Sequence, residues 1–284
     1  MITDPAAAVE YCAANYWNEF LDPSKTYPCD TNIVNGVASE DVETALGTFV
    51  TILEEQCSRE FSAKAVRSLF DQVERFQAAD TTSNVFAFFE KMVPYYLYDP
   101  NSPVRDEDLY YEYVTKLVGS AYSDQDLVWS YSHDAQMCLL NKVGTHAADF
   151  SFTALDGSRH TLYGVDAPLT LLFFSNPGCT ACGEIIEQLC NDPLVAAMSS
   201  AGALAVVNIY IDNELDKWKE YASTYPEDWF TGYDHTHTIR NDITYNVRAI
   251  PSLYLLDADK TVLLKDATTE RVIRHIHQAS QTIQ

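Results

Sequence analysis

Residues 168–191 read PLTLLFFSNPGCTACGEIIEQLCN. Residues 169–174 form an apolar run, the mark of a strand buried on both faces. Ser175-Asn176-Pro177-Gly178 is loop chemistry that stops the strand. From Cys179 onward, Ile185, Ile186 and Leu189 recur at helical spacing, with Glu184, Glu187 and Gln188 between them. A Cys-x-x-Cys pair, Cys179 and Cys182, therefore sits where a buried strand turns into a helix. The first turn of a helix has free N–H groups and a partial positive charge, and both stabilise a thiolate. A cysteine there is nucleophilic near neutral pH. Cys182 lies one turn further on, close enough to close a disulfide with Cys179, so the pair can cycle between dithiol and disulfide.

Two plainer readings compete. A structural zinc site needs four ligands, but the chain has no second Cys-x-x-Cys and no histidine pair at finger spacing. An inert structural disulfide is the other reading, and the strand-to-helix placement argues for redox chemistry over it. The remaining cysteines are Cys12, Cys29, Cys57, Cys138 and Cys190. Cys57 and Cys138 fall on apolar faces of expected helices, where buried free thiols are the rule. Cys190 lies about 12 Å along the same helix from Cys182 and cannot pair with it. Cys12 and Cys29 are spaced to bridge across a loop or to stay free.

The chain has 284 residues, enough for two ordinary domains, with 47% hydrophobic and 21% charged residues. Its formal net charge is −23, from 18 basic and 41 acidic side chains spread over both halves. Nucleic-acid binding needs a basic face and is not expected. No apolar run reaches membrane-spanning length. Met1-Ile2-Thr3-Asp4 lacks the basic start and apolar core of a signal peptide. Two origins fit this, a cytoplasmic protein or a mature chain whose leader has been removed.

Residues 1–142 read as wholly helical, with no paired strands expected before residue 130. Helices are expected at 5–20, from 39, at 59–77, from 82 or 83 to 98, at 105–122 and at 124–140. Val9, Cys12, Ala13, Tyr16 and Phe20 share one face of the first. Residues 21–38, with Pro23, Pro28, Asn35 and Gly36, read as an irregular connection. Ser39 is the expected cap of the second helix, and Thr82 or Ser83 that of the fourth. Pro94 should kink or shorten the fourth. Apolar faces on five or six helices must bury one another, so the domain is a bundle or array. Tyr95, Tyr96, Tyr98, Tyr110, Tyr111 and Tyr113 crowd two neighbouring helices. They read either as packing at the rim of the core or as a binding or dimer face.

After residue 142 the hydrophobic period changes. Residues 149–153 and 159–163 alternate like strands around an Asp156-Gly157 turn. The buried strand and the cysteine helix follow. Then come a strand at 204–211, a helix at 214–225, a short strand at 229–233, a short helix at 236–245, strands at 252–256 and 261–265, and a helix at 268–279. This order gives residues 143–284 an α/β mixed sheet with helices on its faces.

That order, with Cys179-Thr180-Ala181-Cys182 after the buried strand, resembles the thioredoxin fold. Ile250-Pro251, directly before the strand at 252–256, matches the cis-proline of that family, which packs against the cysteine pair. Gly144-Thr-His-Ala-Ala-Asp-Phe150 is similar to the Gly-x-x-Ala-Pro-Asp-Phe that opens TlpA/ResA-like thiol–disulfide oxidoreductases and their peroxiredoxin relatives (the AhpC/TSA group). The helical part is similar to an uncharacterised domain that precedes thioredoxin-like domains in bacterial envelope proteins, which implies a periplasmic or envelope location. The resemblance implies catalysis by Cys179 and Cys182, reduction of protein disulfides, and an upstream thiol reductant. It implies a substrate groove formed by Ile250, Pro251, Thr180 and Ala181. The cysteine pair is itself the redox group, so no cofactor or metal is expected.

The chain also departs from these relatives. Gly178 stands where many carry an aromatic residue, and Phe173 where thioredoxins carry a buried Asp. Ile185 stands where ResA-like proteins carry a Glu. Glu184, one position early, is the candidate acid–base residue. A peroxidase reading fails on spacing: counted from Pro177, Ala181 and Glu184 occupy the Thr and Cys positions of Pro-x-x-x-Thr-x-x-Cys. A non-catalytic binding module on the same scaffold is the alternative from another class. Copper transfer would need histidines near the thiols, and only His235/His237 and His275/His277 are close pairs. His275 and His277 point about 200° apart on a helix, and His235 and His237 are expected in an exposed loop.

Overall fold

The computed structural model describes residues 4–280; Met1, Ile2 and Thr3, on which the reading of the amino terminus rests, lie outside them. The chain divides into two units, Met1–Leu139 and Leu140–Gln284.

The first unit carries α1 (Pro5–Ala14), a hairpin of β1 (Ile33–Val34) and β2 (Val37–Ala38), then α2 (Ser39–Gln56), α3 (Arg59–Ala79), α4 (Val85–Leu97), α5 (Glu107–Gly119) and α6 (Val128–Cys138). Helices build its core, yet the paired strands β1 and β2 depart from the expectation of helix throughout. Their turn is Asn35-Gly36, both at positive φ, the chemistry of a tight two-residue hairpin. The first helix is shorter than its apolar period. It ends at Ala14, and Ala13, Trp17 and Leu21 are buried while Cys12 is exposed. Two expected caps also move. Ser39 lies inside α2, and Asn84 rather than Thr82 or Ser83 is the N-cap position of α4. Pro94 lies inside α4, which ends one turn later.

The core of this unit is rich in rings. Trp17 packs edge-on against Phe49 and Phe89, at ring separations of 5.9 and 5.2 Å. Tyr110 and Tyr113 are fully buried, with Tyr98 stacked on Tyr110 at 4.3 Å, whereas Tyr95 is exposed. Two of the six tyrosines, Tyr110 and Tyr113, are thus core. Arg59 clamps the first turn of α5 through Asp106 and Asp108, and Asp106 also accepts the N–H groups of Asp108 and Leu109.

Glu90 accepts from the Asp124 N–H at 2.8 Å and the Tyr131 hydroxyl at 3.2 Å. Burial pushes its pKa above the usual carboxylate range. A raised folded-state pKa means the stabilising contribution belongs to the protonated form. It is present below the unfolded carboxylate pKa and lost as pH rises through the folded one. Glu90→Gln keeps both acceptor contacts without the charge. It is expected to be more stable than the parent at pH 7 and closer to it at pH 4, in urea midpoints measured at both.

The second unit runs β3 (Ser151–Ala154), β4 (Arg159–Thr161), β5 (Leu169–Phe174), α7 (Thr180–Asn191), α8 (Pro193–Ser200), β6 (Leu204–Tyr210), α9 (Leu215–Ala222), β7 (Phe230–Tyr233), α10 (Thr238–Asn241), β8 (Ser252–Leu256), β9 (Val262–Leu264) and α11 (Thr269–Ser280). Its sheet has the order β4-β3-β7-β6-β5-β8-β9. β5 runs parallel to β6 and antiparallel to β8. All six residues of β5 are buried, and the five apolar ones alternate between two cores. Leu172 and Phe174 join Val207, Ile209 and Tyr254 on one face. Leu169, Leu171 and Phe173 join Val206, Leu253, Leu255 and Cys182 on the other. That second face is the one α7 and α11 cover, through Leu189, Val272 and Ile276.

The helix α8 has no counterpart in the sequence reading. Asp192 ends α7 and also starts α8, its carboxylate accepting from the N–H groups of Leu194 and Val195, with Pro193 at the first helical position. His277, in the last turn of α11, bonds both Asp192 oxygens at 3.0 Å, so a carboxylate holds this histidine.

Candidate functional site

The site is assembled where β5 hands over to α7. Beyond Phe174, Ser175 is buried; its N–H donates to the Ile209 carbonyl at 3.2 Å, and its Oγ donates to Asn208 Oδ1 at 2.5 Å. The Tyr225 hydroxyl lies 3.2 Å from the same Oγ. Gly178 has φ +71°, in the left-handed region that an aromatic side chain adopts only under strain. This is the physical reason for glycine beside the first cysteine. Cys179 then caps α7, its Sγ accepting the N–H of Cys182 at 3.1 Å.

Cys179 and Cys182 are joined in a disulfide, with Cα atoms 5.2 Å apart. Their environments differ. Cys182 is 2% exposed and packs in the core beneath α7. Cys179 is only half-buried, and Thr180 and Ala181 between them are exposed. Glu184 is exposed on the outer side of α7, while Ile185 packs against the same core as Cys182.

The Ile250–Pro251 bond is cis. Phe174 pairs with Ser252 across the sheet, so Pro251 lies at the same end of β5 as the loop leading to Cys179. Asp266 braces this segment. Its Oδ1 accepts from Ser252 Oγ at 2.7 Å, and its Oδ2 accepts from Arg248 at 2.8 Å. Ile250 makes no backbone hydrogen bond among those of the described residues. It lines a cavity of about 500 Å³ with Asn176, Asp212, Arg240, Asn246 and Val247. Asp212 joins two walls of that cavity, accepting from Asn176 Nδ2 at 2.8 Å and pairing with Arg240. Thr180 and Ala181 do not line it.

Sequence reasoning missed the polar groups around this site. Ser175, Asn208 and Tyr225 come from three separate elements, and only the pairing of Phe173 with Asn208 places Asn208 on the face of Cys182. Burial raises the Tyr225 pKa, against its bonds to Ser175 and Asn208, so the group it presents is neutral. Where relatives place carboxylates, Phe173 is fully buried and packs on Trp229, with ring centres 6.4 Å apart.

The other cysteines stay apart. Cys12, Cys29, Cys57, Cys138 and Cys190 are free thiols. Cys57 stands half-buried at the end of α2 rather than inside the core. His235 and His237 are half-buried, not exposed. Among the described residues no group of three or more His, Cys, Asp or Glu side chains is arranged to hold a metal ion. No helix among them is long and apolar enough to cross a membrane.

Comparison with solved structures bears on this geometry. A thioredoxin-like protein from Bacteroides caccae superposes with a TM-score of 0.82 at 32% sequence identity, covering 97% of this chain and 94% of that one. The chain belongs to the thioredoxin-like proteins. The C-terminal domain of an uncharacterized Bacteroides fragilis protein is 46% identical over 48% of this chain and 98% of its own, with a TM-score of 0.47. The thioredoxin domain of a thiol-disulfide oxidoreductase from Bacteroides vulgatus matches 48% of this chain and 96% of its own at 17% identity, with a TM-score of 0.41. Residues 1–129 match a domain of unknown function, DUF5106. No curated protein matches the chain. This thioredoxin-like protein thus has a helical unit before its sheet.

Proposed function

We propose that the chain is a thiol–disulfide oxidoreductase that reduces protein disulfides through Cys179 and Cys182. The observation that carries this is the unequal exposure of the two bonded cysteines at the start of α7. In the dithiol form Cys179 attacks one sulfur of a substrate disulfide as a thiolate. The substrate bond breaks, one substrate thiol leaves and a mixed disulfide remains on Cys179. Cys182 then attacks Cys179 Sγ, expels the second substrate thiol and closes the Cys179–Cys182 bond. Two electrons pass to the substrate, and an upstream dithiol restores the pair. The unpaired Ile250 backbone beside Pro251 offers an extended substrate segment a place to pair. An envelope location fits a substrate that carries disulfides.

Insulin-disulfide reduction by the purified protein, with a thiol donor present, tests the activity. Catalysis above the donor alone is expected. A rate equal to the donor's would leave the binding-module reading in its place. The reduction potential of the pair tests the direction, since a reductant lies near about −270 mV and an oxidant near about −120 mV.

A further inference from the structure

The helical unit holds a second cavity, of about 450 Å³, remote in sequence from the cysteines and lined by Glu43, Tyr95, Tyr96, Asp99, Asn101 and Ser102, with Pro103 at its edge. Its lining contains two carboxylates and no basic side chain. The rings of Tyr95 and Tyr96 stand 5.5 Å apart at 83° to each other, giving two perpendicular aromatic faces. Tyr96 is seated against α2. A Cβ at Gly47 would lie 2.8 Å from its ring, so only glycine allows the ring so close. Its hydroxyl lies 3.5 Å from Glu43 Oε1. Tyr95 is 54% exposed, so its ring is open to solvent at the cavity.

Neither carboxylate has a basic partner among the described residues. Asp99 uses Oδ1 to accept from the Asn101 N–H at 2.8 Å and from its side-chain amide at 3.1 Å; Glu43 has only the tyrosine. Arg105 donates to the Ser102 carbonyl and does not line the cavity, and neither does Lys91, one turn before Tyr95. The cavity also sits at the C-terminal end of α4, which closes at Leu97. That end carries partial negative charge. Aromatic faces, carboxylates and a helix C-terminus all attract the same kind of ligand. The chain already uses this chemistry internally, with Lys116 Nζ 5.6 Å from the centre of the Phe70 ring.

We infer that the cavity between α2 and the end of α4 is a binding site for an organic cation, with Tyr95 and Tyr96 as aromatic walls and Glu43 and Asp99 as counter-charges. The cation is either the guanidinium or ammonium of a basic side chain on a polypeptide, or a free small ammonium compound. The inference concerns the helical unit and does not depend on the redox chemistry of the other.

Tyrosine ring resonances of the full chain are followed by NMR while Nα-acetyl-arginine amide, Nα-acetyl-lysine amide or choline is added. Saturable shifts confined to Tyr95 and Tyr96 are expected. The neutral isosteres Nα-acetyl-citrulline amide and Nα-acetyl-norleucine amide should bind at least about tenfold more weakly. Tighter binding of the amino-acid amides assigns the site to a polypeptide side chain, and tighter binding of choline to a free ammonium compound. Tyr95→Ala and the double variant Glu43→Gln/Asp99→Asn should each weaken binding by at least about tenfold. Tyr95 is exposed and Asn preserves the Asp99 turn, so both variants are expected to fold, and circular dichroism checks that. Equal binding of the neutral isosteres, no saturable shift with any cation, or full binding in folded variants overturns the inference.

Discussion

Cys179→Ser is expected to abolish disulfide reduction and to form no mixed disulfide at the site, whereas Cys182→Ser stops turnover but traps a covalent adduct on Cys179. Both variants should lose at least about a hundredfold in rate, because each removes one half of a two-step exchange. Their difference lies in what accumulates. Cys179 is half-buried at the helix start with its sulfur facing the Cys182 N–H, and Cys182 is 2% exposed. Cys179 is the more accessible of the two to an incoming disulfide. Cys12 and Cys190 are exposed free thiols, so a total-mass increase alone does not locate the adduct. Peptide mapping after exposure to a small disulfide does. An adduct on Cys182 in the Cys179→Ser protein, with none on Cys179 in its counterpart, would reverse the two roles.

Phe173→Asp is expected to disrupt the second unit rather than to supply the acid that thioredoxins carry there. Phe173 is fully buried near the end of β5, in one core with Cys182, Leu253 and Trp229. Losing a core phenylalanine costs about 3–5 kcal/mol. Burying a carboxyl without a partner adds about 1–3 kcal/mol more. The sum is a large part of the stability of an ordinary domain, about 5–15 kcal/mol. Hydrogen exchange of peptides from β5 and β6 reads this unit without interference from the helical one. Protection should collapse in Phe173→Asp and persist in Phe173→Leu. A folded Phe173→Asp protein with faster turnover would show that the pocket accepts an acid after all.

The two hydrophobic periods told the units apart because each reports a different burial geometry. Five apolar positions out of six in β5 mean two buried faces, and the structure splits them by parity into two cores. Helix lengths were over-read where the apolar period outlasts the hydrogen-bonded turns, as in residues 15–20, which are turns beyond α1. The β1–β2 hairpin was missed because two-residue strands are too short to alternate; its only signal was Asn35-Gly36. The α8 helix was missed although Asp192-Pro193 is a start signal, because it follows α7 with no intervening loop. At the site, the cysteines and Pro251 lie within recognisable motifs. Ser175, Asn208, Tyr225 and Asp266 were illegible, since their partners lie 14 to 50 residues away and meet only through the sheet.

Gly178 has one further consequence. Nothing stands within 4 Å of where its Cβ would be, so on that side Cys179 has no steric gate. A disulfide on the surface of a folded protein and a small flexible one meet the same clearance there. In the proposed reduction, any choice between them falls to Ile250 and the residues beside it in the segment before Pro251. Substrate selectivity should respond to substitutions in residues 246–250 far more than to a side chain restored at 178.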